Sequence, residues 1–271
     1  MAQLVHFPGP PLSEFVELIW LYEGYTAPHS CAFERLMPGG TMSLVINLQE
    51  DRSPIYHPER LEEIGSTRGI LLAGTYSEFA VIDTAEQWAT LGVHFRPGGA
   101  FPFFGLPAGE LQDVTLSLED LWGPAANGLR ERILEAAAPE ARFRIMEEAL
   151  LERARSLSRH PAIAFAVREL RRSRTVTSVL DQVGYSQRHF IQLFRQEVGL
   201  TPKLYGRIQR FQQVLRRVQP LRRVDWSAVA LDGGYFDQAH LIRDFRAFSG
   251  FTPSEYLERR RSHFNHIPVE T

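Results

Sequence analysis

Gly184-Tyr185-Ser186-Gln187-Arg188-His189-Phe190-Ile191-Gln192-Leu193-Phe194, continuing to Gly199-Leu200-Thr201-Pro202 and Tyr205, is written twice in this chain. The second copy runs Gly234-Tyr235-Phe236-Asp237-Gln238-Ala239-His240-Leu241-Ile242-Arg243-Asp244-Phe245 and on to Gly250-Phe251-Thr252-Pro253 and Tyr256. From Phe190 and Leu241 onward every marker recurs 51 residues later, and the second copy carries one extra residue in its turn. Such self-similarity means that one supersecondary unit is built twice.

Each marker has a conformational role. Gly199 and Gly250 suit the left-handed position that ends a helix, and Thr201-Pro202 and Thr252-Pro253 supply an N-cap followed by proline at the first helical position. Residues 176–183 and 226–231 read as short apolar helices upstream of the two Gly-Tyr pairs, with Asp225 placed to cap the second. Helix, tight glycine turn, helix is the helix-turn-helix layout.

Within the second helix of each pair, Phe190, Leu193, Phe194 and Val198 share one face, as do Leu241, Phe245 and Phe248; these are core positions. The opposite faces carry Arg188, Ile191, Gln192 and Arg195, and then Gln238, Ala239, Ile242, Arg243 and Arg246. Guanidinium and amide groups match base edges and phosphates in a major groove, and apolar groups meet the thymine methyl. Residues near a recognition helix's N-terminus enter the groove most deeply. The candidate base readers are therefore Arg188, Ile191 and Gln192 in the first unit and Gln238, Ala239, Ile242 and Arg243 in the second. Gln187, Arg195, His240 and Arg246 are assigned to DNA phosphates. The competing explanation is that these arginines are solvated or pair with carboxylates such as Asp244, which contributes little at a surface.

The charge is divided in the same place. The chain carries a formal net charge of −2, but residues 1–157 hold 11 Arg against 22 Asp and Glu, a net −11, while residues 158–271 hold 19 Lys and Arg against 10 Asp and Glu, a net +9. A polyanion partner is expected for the second half alone.

These motifs resemble the DNA-binding domain of AraC/XylS-family transcriptional regulators, over about residues 160–261 and including Arg210 between the units; residues 234–256 follow the family's second-unit signature closely. The resemblance implies about seven helices, with a long helix over 202–218 holding the two units apart, two recognition helices in successive major grooves, and regulation of transcription near a promoter. Two positions depart from the pattern. Leu180 stands where a small residue is usual, matched by Ala230 in the second copy, which implies looser packing at the first turn. Ile191 replaces a polar base-reading side chain, which biases that position to methyl contact. Gly233, beside Gly234, adds backbone freedom for which the sequence gives no use.

Ahead of the repeat, residues 32–37, 42–48, 69–73, 79–83 and 89–95 read as short strands separated by turns such as Pro38-Gly39-Gly40 and Arg96-Pro97-Gly98-Gly99. Helices follow at 125–137 and 142–157. The second carries the stripe Phe143, Met146, Leu150, Ala154 and Leu157, which either packs on its own domain or forms a dimer seam. This part resembles the β-rich domain that precedes the DNA-binding domain in one subgroup of the family, through Leu36-Met37-Pro38-Gly39-Gly40 with Leu44-Val45-Ile46-Asn47-Leu48, and Gly92-Val93-His94-Phe95-Arg96-Pro97-Gly98-Gly99. The subgroup more often has an acidic residue where Gly39 stands. The expected fold class is α+β: a β-rich sensor or dimerisation domain over 1–138, cupin-like in one reading, a linker helix over 139–158, an all-α DNA-binding domain with two helix-turn-helix units over 159–262, and a tail over 263–271.

Composition is that of a globular protein, 44% hydrophobic and 23% charged. The most apolar early stretch, residues 15–22, is interrupted by Glu17 and too short to span a bilayer, and the start lacks the basic residues of an export signal. Cys31, alone, makes no internal disulfide, so the cytoplasm is the expected location. No Gly-rich phosphate loop, Gly-x-Ser-x-Gly elbow or His-Glu-x-x-His occurs, and no catalytic residue, cofactor or metal is assigned. The rival from another class is a cupin-like metal-dependent enzyme fused to a DNA-binding module, for which His29, His57 and His94 would have to converge; their spacing lends it no support. An RNA-binding module needs exposed aromatic platforms, whereas the phenylalanines of the repeat fall on the buried face. The expected partners are double-stranded promoter DNA, RNA polymerase, a small-molecule effector and a second copy of the chain, with no membrane among them.

Overall fold

The computed structural model describes residues 2–24, 32–261 and 263–269; His29 and Cys31 lie outside the described residues. Its first part is built of the strands β1 (Ala2–His6), β2 (Val16–Glu23), β3 (Phe33–Leu36), β4 (Ser43–Asn47), β5 (Ser53–Tyr56), β6 (Glu63–Thr67), β7 (Ile70–Ala73), β8 (Ala80–Asp83), β9 (Ala89–Phe95) and β10 (Thr115–Ser117). Six of them form an antiparallel sheet in the order β1-β2-β9-β4-β7-β10, and β5 and β6 pair separately. Alternation places Ile19, Leu21, Leu44, Ile46, Leu91, Val93 and Phe95 in one core. Helices α1 (Phe101–Phe104), α2 (Leu118–Trp122), α3 (Pro124–Glu135) and α4 (Pro139–Arg153) close it with Phe103, Phe104, Trp122, Leu129, Ile133, Met146 and Leu150. Trp20 lies across the sheet from Gly92, where a Cβ would sit 2.0 Å from the indole.

The stripe on α4 is resolved by this core: Phe143, Met146 and Leu150 are inside it and Ala154 and Leu157 pack on its edge. The helix therefore covers its own domain and offers no dimer seam. The segment expected as a linker, 139–158, is correspondingly for most of its length part of the N-terminal core.

The second part has seven helices, α5 (Pro161–Arg171), α6 (Val176–Val183), α7 (Gln187–Val198), α8 (Pro202–Val218), α9 (Trp226–Asp232), α10 (Gln238–Ser249) and α11 (Pro253–Arg259). The 202–218 helix runs to its expected bounds because Thr201 accepts a hydrogen bond from the Leu204 N–H and proline occupies the first turn. Its Tyr205, Ile208, Phe211, Leu215 and Val218 are fully buried. Tyr205 meets Phe194 of α7 at 5.6 Å between ring centroids, and Phe211 meets Phe245 and Phe248 of α10 at 5.1 and 5.3 Å. One helix thus seats both units.

This second core reaches across into the first part. Met37, Phe79 and Val81 belong to it, and so does Ile267 of β11 (His266–Val269), which pairs with β3 in a small sheet of order β11-β3-β8. Within the segment expected as a tail, 263–271, residues 266–269 form β11, with His266 Nδ1 3.0 Å from a Glu34 carboxylate oxygen. The buried amides of Gln209 and Gln212 on α8 donate to the carbonyls of Gly39 and Pro38 at 2.9 and 2.8 Å. Gly40 adopts φ +74°, with the Tyr205 ring and the Gln209 amide closing on it, so a larger residue would be doubly strained there.

Among the described residues, no helix is long and apolar enough to cross a membrane, and no group of three His, Cys, Asp or Glu side chains could hold a metal ion. His57 Nδ1 accepts from the N–H groups of Glu59 and Arg60, and His94 Nδ1 lies 2.9 Å from the Ser43 hydroxyl.

Because Phe211 is the contact through which α8 holds the second unit, Phe211→Ala is expected to lower stability by about 3–5 kcal/mol. Urea unfolding followed by far-UV circular dichroism checks this, and a loss below about 1 kcal/mol would mean that the site is not a packed centre.

Candidate nucleic-acid interface

Both units are built from the same local chemistry. Thr175 caps α6, Gly184 ends it at φ +71°, and Ser186 caps α7 by accepting from the His189 N–H at 3.3 Å. In the second unit Asp225 accepts from the N–H groups of Ser227 and Ala228, Gly234 turns at φ +74°, and Asp237 accepts from the His240 N–H at 2.6 Å. Gly199 and Gly250 are left-handed, at φ +91° and +71°. Thr252 and Glu255 form a reciprocal capping box on α11, and the backbone N–H of Thr252 holds the Glu255 carboxyl below its ordinary range. Gly233, without a role in the sequence, lies so close to Val214 of α8 and to Val229 that a Cβ would approach both within about 3.1 Å, so it permits close helix packing.

The two turns differ in tightness. Tyr235 is 3% exposed with the Arg210 guanidinium 5.5 Å from its ring, while its counterpart Tyr185 is 37% exposed. In α9 both Val229 and Ala230 are buried; in α6 Val179 is buried but Leu180, in the place of Ala230, is only partly so.

Phe190, Phe194, Val198, Leu241, Phe245 and Phe248 are buried, and Leu193 is partly buried. On the opposite faces Gln187, Arg188, Gln192 and Arg195 of α7, and Gln238, Ala239, Arg243 and Arg246 of α10, are exposed, while Ile191, His240 and Ile242 are half-buried. Gln238 is tied to α9 by the Ser227 hydroxyl at 3.2 Å. Asp244 is not available to the arginines beside it: it is 2% exposed and accepts from Arg207 of α8 at 2.7 and 3.1 Å. Among the described residues, Arg188, Arg195, Arg243 and Arg246 have no carboxylate within 4.0 Å. These four arginines face outward without a close ion pair, and Arg246 still feels the Glu255 carboxylate at longer range. The aromatic of the repeat that departs furthest from the buried pattern is Phe236, which is 91% exposed.

A family profile described as "Helix-turn-helix domain" matches residues 179–259, from within α6 to the end of α11. The second part of the chain is an AraC-type helix-turn-helix domain. This part of the chain is accordingly a DNA-binding, transcription-regulating domain. Residues 4–117 match a second family, described as "Domain of unknown function (DUF6597)". Among solved structures, ToxT from Vibrio cholerae O395 is similar at 10% identity and TM-score 0.40, covering 89% of this chain and 95% of that one. ToxT from the same strain bound to (E)-4-(8-methylnaphthalen-1-yl)but-3-enoic acid matches at 9% identity and TM-score 0.44, covering 95% and 99%. Unsaturated fatty acid bound wild-type ToxT from Vibrio cholerae strain SCE256 matches at 9% and 0.42, covering 94% of each chain. At these values the likeness is one of outline alone. No curated protein matches the chain.

What sequence reasoning missed lies between the two parts. The turn Ala108–Leu111 packs on α7: a Cβ on Gly109 would lie 3.2 Å from the Arg195 carbonyl oxygen, and Thr75 donates to the Val198 carbonyl at 3.1 Å. Pro107, Gly109 and Glu110 thereby wall one side of an open groove of about 490 Å³ whose other side is Arg188, Ile191, Gln192 and Arg195. At the second unit, Arg35 donates to the Ser249 carbonyl at 3.0 Å and its guanidinium lies 4.2 and 4.3 Å from the Phe79 and Phe251 rings. The face of α10 carries no such wall among the described contacts. No periodicity signals these contacts, because those between the two parts join residues from 86 to over two hundred positions apart.

Glu197, in the last turn of α7, is half-buried, and burial pushes its carboxyl up from the ordinary 4.5 to about 7 against the opposing pull of Arg159. A raised carboxyl stabilises the fold most below the unfolded value and loses that contribution as pH climbs from 4.5 through 7. Glu197→Gln is expected to remove this slope, so that the variant gains in urea midpoint relative to the wild type between about pH 5 and about pH 8. Parallel curves would show that Glu197 does not titrate in that window.

Proposed function

We propose that the regulator sets α7 and α10 in successive major grooves of promoter DNA, and that its N-terminal domain restrains the first of these helices, with RNA polymerase the partner at the promoter. The observation that carries the DNA reading is the pairing of two equivalent helices on one core, each with a capped N-terminus and with arginines outward that make no close ion pair. Arg188, Gln192, Gln238 and Arg243 lie toward the N-terminal ends and are assigned to base edges, with Ile191, Ala239 and Ile242 on methyl groups. Gln187, Arg195, His240 and Arg246 are assigned to phosphates.

The restraint is supported by the wall beside α7. A duplex edge must occupy the space that residues 107–110 border, so the first unit reads DNA only when that turn moves away. Attachment through Arg35, Gln209, Gln212 and β11 holds the turn in place. An effector acts on such an equilibrium only if it binds the attached and released arrangements with different affinity.

With the full chain and a duplex enriched from a randomised pool, Arg243→Ala is expected to cost about 1–3 kcal/mol and relax preference at one or two base pairs. Arg246→Ala should instead weaken all duplexes alike and lower the slope of log affinity against log salt by about one. Fluorescence anisotropy across a salt series separates these outcomes, and unchanged binding by both variants would overturn the assignment of the reading face. Arg35→Ala, which loosens the attachment, is expected to raise duplex affinity about fivefold or more. Equal affinity in the wild type and Arg35→Ala would remove the case for restraint.

A further inference from the structure

The two units differ by one residue in the turn, and that residue is Phe236. In the first unit Tyr185 is followed directly by the cap Ser186; in the second, Phe236 stands between Tyr235 and the cap Asp237. The apolar requirement of the turn is already met by Tyr235, which is 3% exposed and 5.1 Å from the His240 ring. An apolar residue preceding an N-cap ordinarily packs on the fourth helical residue. Here that residue is Leu241, which is 0% exposed in the core, while Phe236 is 91% exposed, more than any other large hydrophobic side chain among the described residues. Phe236 thus does no packing work within the chain.

A single exposed hydrophobic is common at protein surfaces. This one is set apart by its place: it adjoins the N-terminal end of α10, beside Gln238 and Ala239, where a recognition helix lies deepest in the groove. The phenyl ring has no donor, acceptor or charge, so phosphates and polar base edges offer it nothing. The apolar group that B-form DNA presents in the major groove is the 5-methyl of thymine. We propose that Phe236 is a specificity-determining residue of the second unit, contacting the methyl group of a thymine at the edge of the site that α10 reads. The inference rests on the reading of α10 as a recognition helix.

The test uses the full chain and a pool of duplexes with a randomised centre, sequenced before and after enrichment by the wild type, Phe236→Ser and Phe236→Leu. The wild type is expected to enrich a thymine at one position that Phe236→Ser leaves unselected, with the other positions unchanged and Phe236→Leu intermediate. Replacing that thymine by deoxyuridine in the enriched duplex should lower wild-type affinity about fourfold, the effect of one methyl group returned to water, and leave Phe236→Ser unaffected. Thermal unfolding of the exposed-site variants should match the wild type. Identical enrichment and affinity for Phe236→Ser would overturn the inference while leaving DNA reading by α10 intact, and so would an equal loss on every duplex. A Phe236→Ser variant with normal DNA selection but reduced transcription in a purified system would overturn it in favour of a protein contact. A wild type that enriches no sequence would overturn the DNA reading itself and this inference with it.

Discussion

Burial of one face of α8 is the contact on which the rest of the molecule depends. Tyr205 near its start holds the first unit through Phe194, and Phe211 one and a half turns on holds the second through Phe245 and Phe248. Close-packed aromatics of this kind do not slide, because any shift opens voids that forfeit dispersion contacts. The separation and mutual orientation of α7 and α10 are therefore properties of one helix. Polar residues share in it: Asp244, turned inward, neutralises Arg207 of α8 instead of pairing with Arg243 beside it.

A different chemistry joins the two parts of the chain. Side-chain donors capture backbone carbonyls: Gln209 and Gln212 at Gly39 and Pro38, Arg35 at Ser249, Thr75 at Val198, and Arg159 at Pro97. Several of these acceptors lie in turns or at helix ends, where carbonyls lack intrahelical partners. Hydrogen bonds of this sort are each of modest net worth, about 1 kcal/mol, so the attachment is a sum of small terms with an apolar patch of Met37, Phe79, Val81 and Ile267 beneath it. The acidic first part, at −11, and the basic second part, at +9, add a long-range attraction that salt weakens. An arrangement held in this way is suited to release, because no single contact dominates it.

The repeat made the helical domain legible residue by residue. Caps at Thr201, Asp225 and Thr252 and stops at Gly199 and Gly250 stand where the sequence places them, since capping is a matter of four or five consecutive residues. The strands β3, β4, β7, β8 and β9 were legible for a similar reason, being bounded by Gly and Pro turns. β1, β2 and β10 were not: β2 carries Glu17, which interrupts its apolar run, and β10 has three residues. The pairing of β11 with β3 joins residues over two hundred positions apart and leaves no local trace. The apolar stripe on α4 was visible in the sequence with its partner undecided, because a period says which face is buried and not against what.

The sequence by itself determined the two helix-turn-helix units, their buried and outward faces and the division of charge, all of which follow from short-range periodicity, capping and composition. Tertiary structure alone decided that α4 closes the N-terminal core, that Gly233 lies close against Val214, that Asp244 turns inward, and that residues 107–110 stand beside the outward face of α7. Each of these depends on which surfaces meet after the chain has closed long loops, and loop closure depends little on the residues within the loop. Phe236 belongs to both accounts. The duplication identifies it as the added residue, and only the packed turn, with Tyr235 inside, leaves it outside.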